Sequence, residues 1–341
     1  MSDALTSNEA VRSRIPTRTA AVFAVGIAAL AVCIALSLAL GTRPVPPGTV
    51  LDALLGDDAS RDAIAVTGIR LPRTIIGIVV GAALGLAGAV CQGVTRNPLA
   101  SPTTLGVNAG AALAVVAAIH LLGLARPAEF LPFALAGAAL AAIAVFALAR
   151  GAGDLDPVRL ALSGTVLASV LAAWTSALLL ASEQTLDEAR FWLVGSLAGR
   201  SLGMLVPVAA PLIAGTLLAF FVAPALNALS LGDDSASALG VPVARTRLLG
   251  GIAVVLLAAS AVAVVGPIAF IGLAAPHLVR FAVGPDLRLL LPGCLIGGPA
   301  LLLAADVLGR MLLRPTEIEV GIVTAFLGAP LLAVLARKAA R

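Results

Sequence analysis

The chain has 341 residues, 60% of them hydrophobic and only 12% charged, with a formal charge of +4. Soluble globular chains carry about 25% charged residues; half that share, spread over many long apolar runs, excludes a soluble domain and points to a polytopic helical membrane protein. The arginines are scattered between apolar runs, which excludes a nucleic-acid footprint, and the sole lysine, Lys338, follows no Gly-rich turn, which excludes ATP hydrolysis by a phosphate-binding loop in this chain.

The N-terminus is polar up to about Arg18, and residues 1–19 read as a cytoplasmic tail. The first apolar run, Ala20 to Gly41, is too long for a signal-peptide core and has no clear cleavage site, so it reads as an uncleaved anchor. Ten spans are predicted, at 20–41, 74–95, 104–125, 130–149, 160–181, 203–226, 248–266, 267–283, 289–308 and 320–336. The first seven are convincing by length. The last three are short or interrupted by Pro276, Pro292, Pro299 and Pro330, which membrane helices tolerate where they pack in protein or line a cavity. Gly77, Gly81 and Gly85 recur every fourth residue and allow close helix packing. Residues 20–337 form one membrane domain and 338–341 a short tail. Ten spans put both termini on one side, and a modest excess of Arg and Lys in the segments on that side places them in the cytoplasm.

Few residues carry chemistry. Cys33, Cys91 and Cys294 lie inside apolar runs and read as inert buried thiols. The run containing Asp57, Asp58 and Asp62 is a single acidic cluster. A diphosphate-binding enzyme would want two, so it reads as a solvated loop. His120 and His277 fall in different spans, and His277, after Pro276, reads as a polar group capping a broken helix. Trp174, Phe191 and Trp192 read as interfacial or packing aromatics. Asp306 alone sits within an apolar run. It is either a functional intramembrane acid or the partner of Arg310, four residues on along the same helix face. No metal-ligand or nucleophile constellation is present, so the chain is not read as an enzyme.

A short polar, turn-rich island between two long apolar runs extends from Leu229 to Val241. It has room for about two helical turns, closed by Gly240 and Pro242. Such a segment is a surface for a partner to press on.

Four stretches together resemble the permease subunits of ABC importers for iron–siderophore complexes and vitamin B12. They are Arg70-Leu-Pro-Arg73 followed by Gly81-Ala-Ala-Leu-Gly-Leu-Ala-Gly88; Gln92-Gly-Val-Thr-Arg96-Asn97-Pro98 through Gly106; Leu231-Gly232-Asp233-Asp234-Ser-Ala236-Ser-Ala-Leu239-Gly240; and Val265 through His277, continuing through Asp306 to Glu319–Pro330. The resemblance covers about residues 60–337 and implies an all-α, type II ABC importer permease fold.

From the resemblance follow the expected roles. Leu231, Gly232, Asp233, Asp234, Ala236, Leu239 and Gly240 would form the coupling helix that enters a cleft of the ATPase, its small residues letting it nest there. The family has Gly-Glu where this chain has Gly232-Asp233-Asp234, which leaves open which aspartate makes the contact. Arg96, Asn97 and Pro98 would form a rigid cytoplasmic turn. Arg70, Arg73 and Arg310 would meet acidic residues of an extracytoplasmic substrate-binding protein, or else snorkel to lipid phosphates. Ser163, Thr165, Ser169 and Thr175 on the fifth span and Thr324 on the last would line the translocation path, with the loop containing Asp154 and Asp156 at its inner mouth. The implied partners are a second permease, identical or paralogous, two ATP-binding subunits that use ATP and Mg, a binding protein and membrane lipid. No cofactor is expected on this chain, and the implied location is the bacterial inner membrane. The alternative from another class is an ion-coupled secondary transporter, which would want acids at matching positions in two halves.

Overall fold

The computed structural model describes the backbone of residues 2–41, 43–56, 60–149 and 157–339, with side chains described between 19 and 330. The described residues fold into helices α1 (Ser2–Ala39), α2 (Pro47–Leu55), α3 (Arg61–Ala65), α4 (Leu71–Thr95), α5 (Val107–Leu122), α6 (Pro127–Ala149), α7 (Pro157–Ala181), α8 (Glu183–Val194), α9 (Val206–Leu229), α10 (Asp233–Ala238), α11 (Val243–Val265), α12 (Ile271–Val283), α13 (Leu287–Leu312) and α14 (Val320–Ala339). Ten of these correspond to the ten predicted spans.

Their lengths differ from expectation in two places. Among the described residues, seven helical stretches are long and apolar enough to cross a membrane, while α5 and α12 are shorter apolar helices. The span predicted at 104–125 yields a helix of only 16 residues, because a short turn, Pro102–Leu105, and Gly106 in the left-handed conformation (φ 72°) take up its start. Conversely, the span predicted as broken at 289–308 is a continuous helix of 26 residues with Pro292 and Pro299 inside it. Pro276 and Pro330 likewise sit within α12 and α14. One of the prolines inside α13, Pro299, packs directly against a glycine of α4. A Cβ on Gly81 would lie 2.7 Å from the backbone nitrogen of Pro299, so α4 presses bare backbone against the proline where side chains would otherwise stand. Gly77 meets Leu303 and Gly85 meets Cys294 in the same seam, so the three-glycine stripe is the α4–α13 contact.

α4 and α11 form the centre; 78% and 72% of their apolar windows are buried, against 11% for α1 and α7. α4 is approached through Ser60, whose hydroxyl accepts from the Ala63 amide at the start of α3, and a wide π turn over Val66–Arg70 feeds it without a break. It ends at Arg96, a non-glycine residue at φ 49°. Peripheral helices expose large apolar side chains, among them Val166 and Trp174 on α7, Phe221 on α9 and Phe326 on α14. In water such a surface would be untenable; in lipid it is the ordinary exterior.

Candidate functional site

The polar island forms α10. Gly232 (φ 106°) and Gly240 (φ 77°) bracket it in backbone conformations that L side chains avoid, which sets its sharp entry and exit. Asp233 turns inward. Its carboxylate accepts two hydrogen bonds from Arg247 of α11, at 2.8 and 2.9 Å, and pairs with Arg96 beyond the end of α4 at 3.4 Å. Arg247 is 3% exposed, so this is a partly buried, charge-assisted anchor. Asp234, the next residue, is exposed, as are Ser235, Ser237, Leu231, Leu239 and Gly240. Asp233 is thus engaged within the chain while its side chain stays partly exposed, and Asp234 faces out. Ala236 of the expected coupling segment points the other way. It is fully buried against the body, because the small side chain lets α10 lie close to α9 and α11, and it is not part of the outward surface.

The turn Arg96-Asn97-Pro98 stands beside α10. Asn97 accepts the Leu99 amide at 2.9 Å through its side chain, a local turn that holds the segment in shape. Through Asp233 the two most buried helices, α4 and α11, are both tied to α10. Arg247 was legible only as one arginine among many, since nothing local marks it as the partner of a residue 14 positions earlier.

At the opposite end lies a second polar cluster. Arg73 donates to Asp306 through Nη2 at 2.7 Å and through Nε at 3.1 Å, and to Glu317 through Nη1 at 2.7 Å. Arg310 pairs with Asp306 at 2.9 Å and donates to the Ser37 and Leu40 carbonyls at 3.0 and 2.9 Å. Arg70 donates to the carbonyls of Leu38, Ala39 and Arg43. The C-terminal carbonyls of α1, which have no partner within their own helix, are therefore capped by two guanidiniums from other parts of the chain. Of the two readings of Asp306, the pair with Arg310 is what the geometry shows, with Arg73 added from α4.

In the single chain the three arginines expected at the docking face are engaged internally. Arg70, Arg73 and Arg310 are 8%, 7% and 2% exposed and spend their donors on the chain itself. They neither project from the surface nor snorkel. Glu317 had no signal in the sequence that would join it to Arg73.

The expected path residues divide. Thr165 and Ser169 lie one turn apart on an exposed face of α7, their hydroxyls donating to the Ala161 and Thr165 carbonyls, while Ser163 is half-buried. Thr175 is buried and donates to Leu171. Thr324 is also buried, at 3%, donates to the Gly321 carbonyl and lines a small cavity of about 100 Å³ between α12, α13 and α14, so it does not face an open path in the single chain. His277 makes a contact of 3.3 Å with the Leu273 carbonyl inside an unbroken α12, rather than capping a break. Asp57, Asp58, Asp154 and Asp156 lie outside the described residues.

Among the described residues, eight apolar helices around two central ones, with a short helix presented at one end on a charged anchor, define a polytopic membrane permease. Residues 29–338 match the FecCD transport family, and the chain belongs to that family. It is 47% identical over 313 residues to the ferric enterobactin transport system permease protein FepD of Escherichia coli K12, covering 92% of this chain and 93% of that protein. It is 42% identical over 308 residues to the Fe(3+) dicitrate transport system permease protein FecD of the same organism, covering 89% and 93%. To the cobalamin import system permease protein BtuC of Halobacterium salinarum it is 39% identical over 275 residues, covering 80% and 73%. A solved metal-chelate type ABC transporter in an inward-facing conformation superposes with a TM-score of 0.81 at 30% identity, covering 95% of this chain and 99% of that one.

Proposed function

We propose that this chain is the transmembrane permease subunit of an ATP-driven ABC importer that takes a ferric siderophore from a substrate-binding protein and passes it into the cytoplasm. The observation that carries the reading is α10: an exposed face that includes Asp234 and Leu239, held from beneath by Asp233 to Arg96 and Arg247. A push on that face by an ATPase subunit reaches α4 and α11 without passing through a flexible loop, and these two helices position most of the others. On this reading Mg and ATP belong to the ATPase, and the transport step calls for no cofactor on this chain. The α10 end is assigned to the cytoplasm, together with both termini, in a bacterial inner membrane.

A second permease copy or paralogue supplies the other wall of the path. α7 packs on α5 and α6 and α14 on α13 and α12, so their exposed faces need a partner to enclose a bulky cargo. Thr165 and Ser169 on α7 are the polar lining this supports best. The similarity to permeases named for ferric enterobactin and ferric dicitrate supports a ferric siderophore cargo; the cobalamin relative keeps vitamin B12, and with it haem, as the alternative. Docking of the binding protein falls to exposed arginines beside the buried cluster, Arg43 and Arg314.

The test is reconstitution. Proteoliposomes holding the permease and its ATPase, with binding protein inside or outside, should accumulate a radiolabelled ferric siderophore only with ATP. Uptake driven by a proton or sodium gradient in vesicles lacking the ATPase would establish the secondary-transporter reading instead.

A further inference from the structure

Beside the coupling helix is a cleft of about 310 Å³ whose lining includes Gln92 and Arg96 from the end of α4, Asn227 and Ser230 from the end of α9, and Arg280 from α12. Its electrostatics are unbalanced. Arg280 is half-buried, and among the described residues it has no carboxylate partner; its one hydrogen bond is from Nη2 to Gln92 Oε1 at 2.8 Å, and its Nε has none. Gln92 is 3% exposed and its Nε2 also lacks a partner. The acids nearby are already engaged. Asp286 at the rim accepts from Asn227 Nδ2 at 2.5 Å and from the Arg288 amide at 2.9 Å, and Asp233 takes Arg96 and Arg247. Burying a guanidinium without a counter-charge is costly, and leaving an amide donor unpaired adds to that cost.

We propose that this cleft is a binding site for a phosphate-type anion, either the headgroup of an anionic phospholipid in the adjoining leaflet or free phosphate. The cleft is open, lies where α4, α9 and α12 end, and offers the fork of Arg280 and the amide of Gln92, with Ser230, whose hydroxyl donates to the Asn227 carbonyl at 2.6 Å, in its wall. A guanidinium fork suits phosphate oxygens, and the ends of membrane helices lie at headgroup depth. Ser230 and Asn227 lead directly into α10, so an anion held here ties α12 to the base of the coupling helix. The inference rests on the chain spanning a membrane and is independent of which cargo it carries.

The test uses the purified full-length chain in detergent, titrated separately with inorganic phosphate, dihexanoylphosphatidylglycerol and, as the zwitterionic control, dihexanoylphosphatidylcholine, with calorimetric binding and the unfolding temperature as readouts. One of the two anions should saturate while the control does not, and which one does identifies the source. Arg280→Gln should weaken that binding at least tenfold, and Arg288→Gln, an exposed arginine outside the cleft, should leave it unchanged. Gln92→Glu keeps the shape of the side chain and supplies the missing carboxylate. It should abolish anion binding while the unfolding temperature without anion stays at or above that of the wild type. If neither anion saturates, or if saturation persists in both Arg280→Gln and Gln92→Glu, the site does not exist.

Discussion

Arg73 on α4 and Asp306 on α13 stand 233 positions apart in the chain and 2.7 Å apart in space, and both are almost fully buried. Asp306 is the single carboxylate between two guanidiniums, Arg73 and Arg310. Removing one member of a buried, hydrogen-bonded charge cluster leaves the others uncompensated and costs about 3–5 kcal/mol. Asp306→Ala should therefore lower the unfolding free energy by about that amount, with Asp306→Asn intermediate because it can still accept hydrogen bonds. Denaturation followed by tryptophan fluorescence measures it. A loss below about 1 kcal/mol for the alanine variant would mean that the cluster is not a structural brace.

The same cluster separates two kinds of arginine at that end. Arg310→Glu places a carboxylate beside Asp306 and strips the cap from α1, so it should impair folding and insertion before any docking can be measured. Arg43→Glu and Arg314→Glu change exposed side chains and should leave the unfolding temperature within a degree or two. If these are the docking charges, each reversal should weaken binding of the substrate-binding protein severalfold at low salt, and the difference should shrink at high salt. Equal affinity at both salt concentrations would remove them from the interface.

How much of this was legible in the sequence follows from the range of each interaction. Hydropathy located all ten apolar helices because the signal is carried by about 20 neighbouring residues. The pair Asp306 and Arg310 was visible because four residues is one helical turn. The Arg73–Asp306 bridge left no local trace, so Arg70, Arg73 and Arg310, read from their place near the ends of spans, were expected outside and lie inside. In the polar island the small residues were correctly singled out, yet Ala236 packs inward: composition identifies a helix that fits a narrow space, but not which of its faces meets the partner. Pro292 and Pro299 were read as breaks in 289–308, yet both lie inside continuous α13, and the glycine packed on Pro299, Gly81, is more than 200 residues earlier on α4.

Those glycines give a test of packing by size alone. A Cβ at Gly88 would stand 1.7 Å from the Gly272 carbonyl oxygen of α12's first turn, backbone against backbone, so α4 and α12 would have to separate. Gly88→Ala should cost about 1–3 kcal/mol. Gly48→Ala, in α2, meets nothing within 4 Å and gains about 1 kcal/mol of helix propensity at most. Opposite signs for the two substitutions in the same unfolding assay are expected; the same sign and size would mean that neither effect is local.

On the proposed coupling role, α10 makes the sharpest distinction, because its neighbouring aspartates would have different tasks. Asp233→Asn removes the charge that holds Arg96 and Arg247, loosening α10 on its own body, whereas Asp234→Lys changes only the exposed face. Gly240→Val also meets open space in the isolated chain, and its strain at φ 77° is confined to the turn, at about 1–2 kcal/mol. In the isolated permease, Asp234→Lys should leave the unfolding temperature unchanged and Gly240→Val should lower it slightly. In the assembled transporter both should reduce transport per ATP hydrolysed by tenfold or more, Asp234→Lys by losing an ion pair to the ATPase and Gly240→Val by obstructing its cleft. Asp233→Asn should likewise reduce transport per ATP, but unlike Asp234→Lys it should also lower the unfolding temperature of the isolated permease, because it loosens α10 from Arg96 and Arg247. Normal transport per ATP in all three variants would show that force enters the membrane domain elsewhere than through α10.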